Sequence, residues 1–252
     1  MPSEKVNWGG LTSNIVHNLP AGTQPNVVAV LCHGYGAPAT DLVGLAQPIL
    51  ATAREGFRAA LVFPGAPLDL AEIGMPGGRA WWPVDLDRLI NRRTPELLAQ
   101  FQSACPPGLP ESRDRLVALL AEAGRHYGLT ADRFILGGFS QGAMLTTDVA
   151  LRLKKPPAGL CILSGALIDE SEWQPLARER GPLKVLQSHG RHDSILPFGL
   201  GKSLCDMLQH SGAAVDFYAF DGDHEVPLEV LHRLTHFIRD SGSGTKRNHE
   251  DE

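Results

Sequence analysis

A serine framed by two glycines, Gly138-Phe139-Ser140-Gln141-Gly142, follows the apolar run Phe134-Ile135-Leu136 and precedes a helix-forming stretch. That context makes Ser140 a candidate nucleophile. A strand that reverses sharply into a helix crowds the backbone, and only small residues fit beside the turn. A helix starting at Gln141 would also aim its free N–H groups and positive dipole end at the serine, where negative charge develops as a hydroxyl attacks a carbonyl. The pentapeptide alone is a weak signal. To act, the serine needs a general base, and the base needs an orienting carboxylate. Downstream, Gly190-Arg191-His192-Asp193 follows the strand-like Leu183-Lys184-Val185-Leu186, and Asp221-Gly222-Asp223-His224-Glu225 follows the strand-like segment 215–220. Both land on loops at the carboxyl ends of strands, where open α/β sheets place their sites. Asp193 and His224 are the preferred acid and base, since they complete the chain order serine, acid, histidine.

Other carboxylates compete for the acid position. Asp169 follows the strand-like segment 159–163, although it reads better as a helix cap. Asp221 and Asp223 sit so close to His224 that bonding their own backbone in a turn is the plainer role. A metal site built from His189, His192, Asp193 and His224 is a further possibility, but no compact ligand signature such as H-E-x-x-H is present. Neither a metal nor a cofactor is expected. Near the amino end, the apolar segment 27–31 runs into Cys32-His33-Gly34-Tyr35-Gly36-Ala37, a buried strand leading into a loop. In that loop His33 reads as a shaping residue rather than a participant in proton transfer.

Taken together, His33-Gly34-Tyr35-Gly36, Arg79-Ala80-Trp81-Trp82, Leu136-Gly137-Gly138-Phe139-Ser140-Gln141-Gly142 and the Asp193 and His224 loops resemble the phospholipase/carboxylesterase family, which includes the acyl-protein thioesterases. The resemblance covers roughly residues 10–240 and implies an α/β-hydrolase fold. It implies Ser140 as nucleophile, Asp193 and His224 as acid and base, and the backbone N–H groups of Tyr35 and Gln141 as oxyanion donors. The chemistry it implies is a serine carboxylesterase acting on carboxylic esters, or thioesters, through an acyl-enzyme. A peptidase or lipase on the same fold, or a hydrolase-like binding protein without catalysis, are the competing functions. Trp81-Trp82 replaces a more usual Trp-Phe, and His192 stands where a small residue is common; these departures bear on the acyl substrate rather than on the chemistry.

The elements that would position these residues are legible as alternating patterns. Strand-like runs at 27–32, 57–63, 133–138, 159–164, 183–188 and 214–220 are separated by segments long enough for crossover helices, which predicts a mostly parallel sheet flanked by helices on both faces. From Glu111 to Tyr127, Leu116, Leu119, Leu120, Ala123 and Tyr127 share one helix face, and Gly128 offers a terminator. Gln141 to Leu153 reads as a second helix, and Leu11–His17 as an added antiparallel edge strand. The segment 65–110 is the least regular and is expected to form a cap over the site, with short helices near 85–92 and 95–103. Trp81, Trp82 and Met75 are its candidate substrate contacts, against the plainer reading that such residues are simply packed.

Composition fits one domain over residues 1–240 with a mobile charged tail at 241–252. The 252 residues are 43% hydrophobic and carry a net charge of −5. With no basic stripe, no nucleic-acid partner is expected. The chain also lacks an apolar leader and any run of 18 or more apolar residues, so no membrane insertion is expected and cytoplasmic residence is the default. Cys32, Cys105, Cys161 and Cys205 lack C-x-x-C spacing and are read as reduced thiols. The expected partner is a small-molecule or acyl-chain ester; oligomeric state is not legible.

Overall fold

The computed structural model describes residues 1–51, 56–85, 91 and 94–242, and among these described residues the elements are ten strands and seven α-helices. In chain order the strands are β1 (Ser3–Trp8), β2 (Leu11–His17), β3 (Val27–Cys32), β4 (Ala59–Pro64), β5 (Leu68–Asp69), β6 (Arg79–Ala80), β7 (Phe134–Phe139), β8 (Gly159–Leu163), β9 (Lys184–Gly190) and β10 (Ala214–Phe220). The helices are α1 (Ala46–Ala51), α2 (Pro95–Ser103), α3 (Leu109–Tyr127), α4 (Gln141–Arg152), α5 (Glu170–Arg180), α6 (Phe198–His210) and α7 (Leu228–Gly242). Eight strands form one sheet in the order β1-β2-β4-β3-β7-β8-β9-β10, while β5 and β6 pair as a separate hairpin. From β4 to β10 every pairing is parallel; β1 and β2 are antiparallel.

Burial on both faces explains why the central strands read as continuous apolar runs. In β3, Val28, Val30 and Cys32 face one core and Val27, Ala29 and Leu31 the other. The first core is closed by Leu116 and Leu119 of α3, Leu145 of α4, Trp173 of α5 and Leu204 of α6. The second is closed by Ile49 of α1 and by Leu234 and Ile238 of α7. Each of these fully buried aliphatic side chains contributes about 1.5–3 kcal/mol relative to exposure. The stripe predicted for α3 is the buried one, with Leu116, Leu119, Leu120, Ala123 and Tyr127 all inward.

Two expectations need correction. Segment 11–17 is not the edge, because β2 lies between β4 and β1. The true edge, β1, escapes notice because its sequence SEKVNW is mostly exposed and holds only two apolar residues, Val6 and Trp8. Segment 65–110 holds the helix expected at 95–103, α2, but also the β5–β6 hairpin and the helical turn Ala71–Ile73, which its irregular pattern did not suggest. The helix expected near 85–92 and the tail beyond Gly242 lie largely or wholly outside the described residues.

Candidate active site

Ser140 occupies the turn between β7 and α4 with φ 54° and ψ −118°, a positive φ that costs a non-glycine residue on the order of 1–3 kcal/mol. The turn is held by its surroundings: the Ser140 N–H donates to Leu163 O at 2.8 Å, and Ser140 O accepts from the N–H groups of Ala143 at 3.0 Å and Met144 at 3.2 Å. The flanking glycines are required by close approach. A Cβ on Gly142 would lie 2.2 Å from Cys32 O, and one on Gly138 would lie 2.5 Å from the Gly142 carbonyl carbon. Strand β3, helix α4 and the elbow therefore meet at a distance only glycine permits.

The parallel register of β9 and β10 brings Asp193 and His224 together. Gly190 pairs with Phe220 at the ends of the two strands. Beyond them the ladder continues, with Arg191 N–H donating to Phe220 O at 2.9 Å and His192 N–H to Gly222 O at 3.0 Å. A carboxylate three residues past Gly190 thereby reaches a histidine four residues past Phe220: His224 Nδ1 lies 2.7 Å from Asp193 Oδ2. The other oxygen, Oδ1, accepts from the N–H groups of Ile195 at 2.9 Å and Leu196 at 2.7 Å. Burial alone would disfavour the charge on Asp193, but hydrogen bonds from His189, His224 and the Leu196 N–H outweigh it and hold the carboxyl well below the usual range. Phe139 packs on the other partner, its ring centroid 4.7 Å from that of His224.

The other candidate carboxylates have other partners. Asp223 staples the two loops, its Oδ1 accepting from the Ser194 N–H at 2.5 Å and its Oδ2 from the Ser194 hydroxyl at 3.0 Å. It also accepts from the His224 N–H at 2.8 Å, the local turn bond anticipated for it. Asp221 pairs with His192 on the exposed side, at 2.8 Å. Both side chains of that pair are largely exposed, and among the described residues no group of three or more His, Cys, Asp or Glu is arranged to hold a metal ion. Asp169 starts α5, as expected for a cap, but its side chain makes no capping bond; it faces Arg152 at 3.6 Å. Burial raises its pKa.

The N-terminal loop is braced by residues whose purpose the sequence did not reveal. Gly36 N–H donates to Arg79 O at 2.9 Å, and Arg79 N–H to Ala37 O at 3.1 Å, so β6 acts as a splint along the loop that carries Tyr35. Trp81 Nε1–H donates to His33 O at 2.9 Å. Gln141 completes the brace, because its Oε1 accepts from the Trp81 N–H at 2.9 Å and its Nε2 donates to Trp82 O at 2.8 Å. His33 itself lies between Gly34 O, 2.8 Å from Nδ1, and the Ala66 N–H, 3.1 Å from Nε2. Burial lowers its pKa, which fits a neutral shaping residue. No protein group among the described residues engages the N–H of Tyr35 or of Gln141.

Ser140 and His224 open on one cavity of ≈ 310 Å³, whose walls include Tyr35, Gln141, Trp82, Phe101, Met144 and Ile168. Trp82 is one of the wall residues. Trp81 and Met75 are not: Trp81 is 1% exposed beneath the loop it braces, and Met75 packs its methyl group against Gly36. The sequence also missed Phe101, Met144 and Ile168, because apolar residues on helices and loops look the same whether they fill a core or line a cavity.

A family model for phospholipases and carboxylesterases matches residues 18–241. The chain belongs to the phospholipase/carboxylesterase family. Among curated members it is similar to acyl-protein thioesterase 1 of Debaryomyces hansenii, 30% identical over 186 residues covering 71% of this chain and 75% of that one. It also matches the acyl-protein thioesterase 1 of Aspergillus fumigatus, at 28% identity over 220 residues, 84% of this chain and 87% of that one. Among solved structures, esterase PE8 superposes with a TM-score of 0.75 at 28% identity, over 91% of this chain and 98% of that one. A carboxylesterase from Mesorhizobium loti shares the α/β-hydrolase fold, with a TM-score of 0.69 at 19% identity, over 94% of this chain and 98% of that one.

Proposed function

We propose that this family member is a serine carboxylesterase that cleaves oxygen esters or thioesters through an acyl-enzyme. The observation that carries the proposal is the meeting, at one apolar cavity, of a serine on a strained elbow and a histidine whose Nδ1 lies 2.7 Å from a buried carboxylate. With Nδ1–H committed to Asp193, the Nε2 lone pair of His224 is left to take the Ser140 proton. The Ser140 Oγ attacks the acyl carbon, and the oxyanion is received by the N–H groups of Tyr35 and Gln141, the second of which sits at the positive end of α4. His224 returns the proton to the leaving alcohol or thiol. Water, activated by the same histidine, then releases the acid and restores the serine.

A cavity of ≈ 310 Å³ lies at the lower end of ligand-pocket sizes, and its walls are predominantly apolar; both features support an acyl group of short to medium length. Segment 65–110 supplies part of this wall through Trp82, Val84, Phe101 and Pro106, which supports its reading as a cap. Cytoplasmic residence belongs to the same proposal and is supported by four cysteines that are all free. No helix among the described residues is long and apolar enough to cross a membrane. Ser140→Ala is expected to abolish turnover of p-nitrophenyl acetate and butyrate and labelling by a fluorophosphonate, with the fold retained. Full activity in that variant would overturn the assignment, and a folded wild type that neither labels nor turns over any ester would favour a binding protein.

A further inference from the structure

Asp193 receives more donors than a triad needs. Besides the bonds from His224, Ile195 and Leu196, a second imidazole approaches it: His189 Nε2 lies 3.3 Å from Asp193 Oδ2, the same oxygen that His224 bonds. The same Nε2 lies 2.8 Å from Leu196 O. Carbonyl and carboxylate oxygens only accept, so in the neutral ring the proton sits on Nε2 and is shared between them. Nδ1 is then a bare acceptor, buried and without a hydrogen-bond partner among the described residues. It faces the backbone of α6 at Gly201, where a Cβ would come within 2.3 Å of it. The ring is fully buried, seated flush against that helix and edge-on to Phe198 at 6.1 Å.

An unpartnered buried acceptor is unfavourable, and a site that needed only volume would be better filled by leucine or methionine. The feature that offsets this is the Nε2–H. The backbone N–H groups of Ile195 and Leu196 pin Oδ1 but leave Oδ2 with His224 alone, and His224 must itself move its charge during catalysis. His189 gives Oδ2 a donor that stays fixed.

We propose that His189 is a positioning residue: its Nε2–H, shared between Leu196 O and Asp193 Oδ2, sets the carboxylate orientation that aligns His224. The proposal rests on the triad reading above. It differs from a purely structural role, in which His189 would only anchor the 193–196 loop through Leu196 O. Ile195 and Leu196 line the cavity, so loss of anchoring alone would raise KM, whereas a misaligned Asp193 lowers kcat.

The test is a double-mutant cycle with ester kinetics, together with histidine ¹⁵N NMR of the wild-type protein. His189→Leu is expected to lower kcat about 10–100-fold with KM within about threefold, the scale of a small misplacement of a catalytic group. His189→Gln, whose Nε2 can take the place of the imidazole donor, is expected to recover most of that loss. In an Asp193→Asn background, His189→Leu is expected to cost no more than about a further twofold, because residues acting as a unit are not additive. The wild-type spectrum is expected to show His189 as the Nε2–H tautomer and a far-downfield proton for His224 Nδ1–H, the latter broadened or shifted in His189→Leu. Additive losses in the cycle, an effect confined to KM, or a His189 Nδ1–H tautomer would each overturn the proposal; the tautomer is read without any variant, so failure of His189→Leu to fold leaves the question decidable. A wild type active on esters with any of these results would sink the role of His189 alone, whereas an inactive wild type would sink the triad with it.

Discussion

Replacing Gln141 with alanine should separate the two jobs this residue performs. Its backbone N–H stays, so the proposed oxyanion donor survives, but both side-chain bonds to Trp81 and Trp82 disappear. Gln141 is 2% exposed and Trp81 and Trp82 are 1% and 2% exposed, so water has little access to the Trp81 N–H and Trp82 O that lose their partners. Each orphaned buried group costs about 1–3 kcal/mol, giving about 2–6 kcal/mol for the pair before any repacking. In a chain of this size that corresponds to a fall in Tm of about 5–20 °C. Because β6, which leads into Trp81 and Trp82, also splints the Tyr35 loop, kcat on p-nitrophenyl butyrate should fall as well, though far less than in Ser140→Ala. Thermal unfolding and steady-state kinetics on the same preparation measure both. A Tm within about 2 °C of wild type, less than about 1 kcal/mol, would refute the claim that this clamp holds the loop to the helix.

Other consequences are equally open to measurement. Asp148 is fully buried on α4 and receives Arg113, Arg152 Nε at 3.1 Å and Trp173 Nε1 at 2.9 Å; Asp148→Ala should destabilise by about 3 kcal/mol, the lower end for a broken buried pair, because the two arginine side chains remain 18% and 25% exposed. A loss below about 1 kcal/mol in urea unfolding would show that the network is idle. Ile168 lines the cavity and is itself buried, so Ile168→Phe should cut turnover of octanoyl esters by about tenfold or more while acetyl esters are spared; an unchanged chain-length profile would exclude this wall from the acyl site. The folded-state pKa of Asp193 lies below its unfolded value of about 3.9, so its stabilisation is present above that pH and is lost as pH falls toward the folded value. Wild-type stability should therefore decline more steeply below about pH 4 than that of Asp193→Asn; parallel curves would mean the carboxylate gains nothing from its donors.

The serine elbow, the strand-end positions of the Asp193 and His224 loops and the two-faced sheet were legible because each depends on local chemistry. Glycine is the only residue that allows β7 and α4 to approach Cys32 so closely, and continuous apolar runs mark strands buried on both faces. The partnership of Asp193 with His224 could be expected from chain order, but their contact exists only because β9 and β10 pair in register and their loops continue the ladder. Nothing local distinguished Trp81 from Trp82, adjacent indoles of which one braces a loop from below and the other faces the cavity. The same holds for Gln141, legible as a backbone donor but silent about its side-chain clamp, and for His189, one histidine among ten until the fold set its Nε2 beside Asp193. Hydrophobic period and backbone constraint act over a few residues and are written in the chain. Hydrogen-bond partners 30 to 60 residues apart are chosen by strand register and helix docking, and only the assembled structure states them.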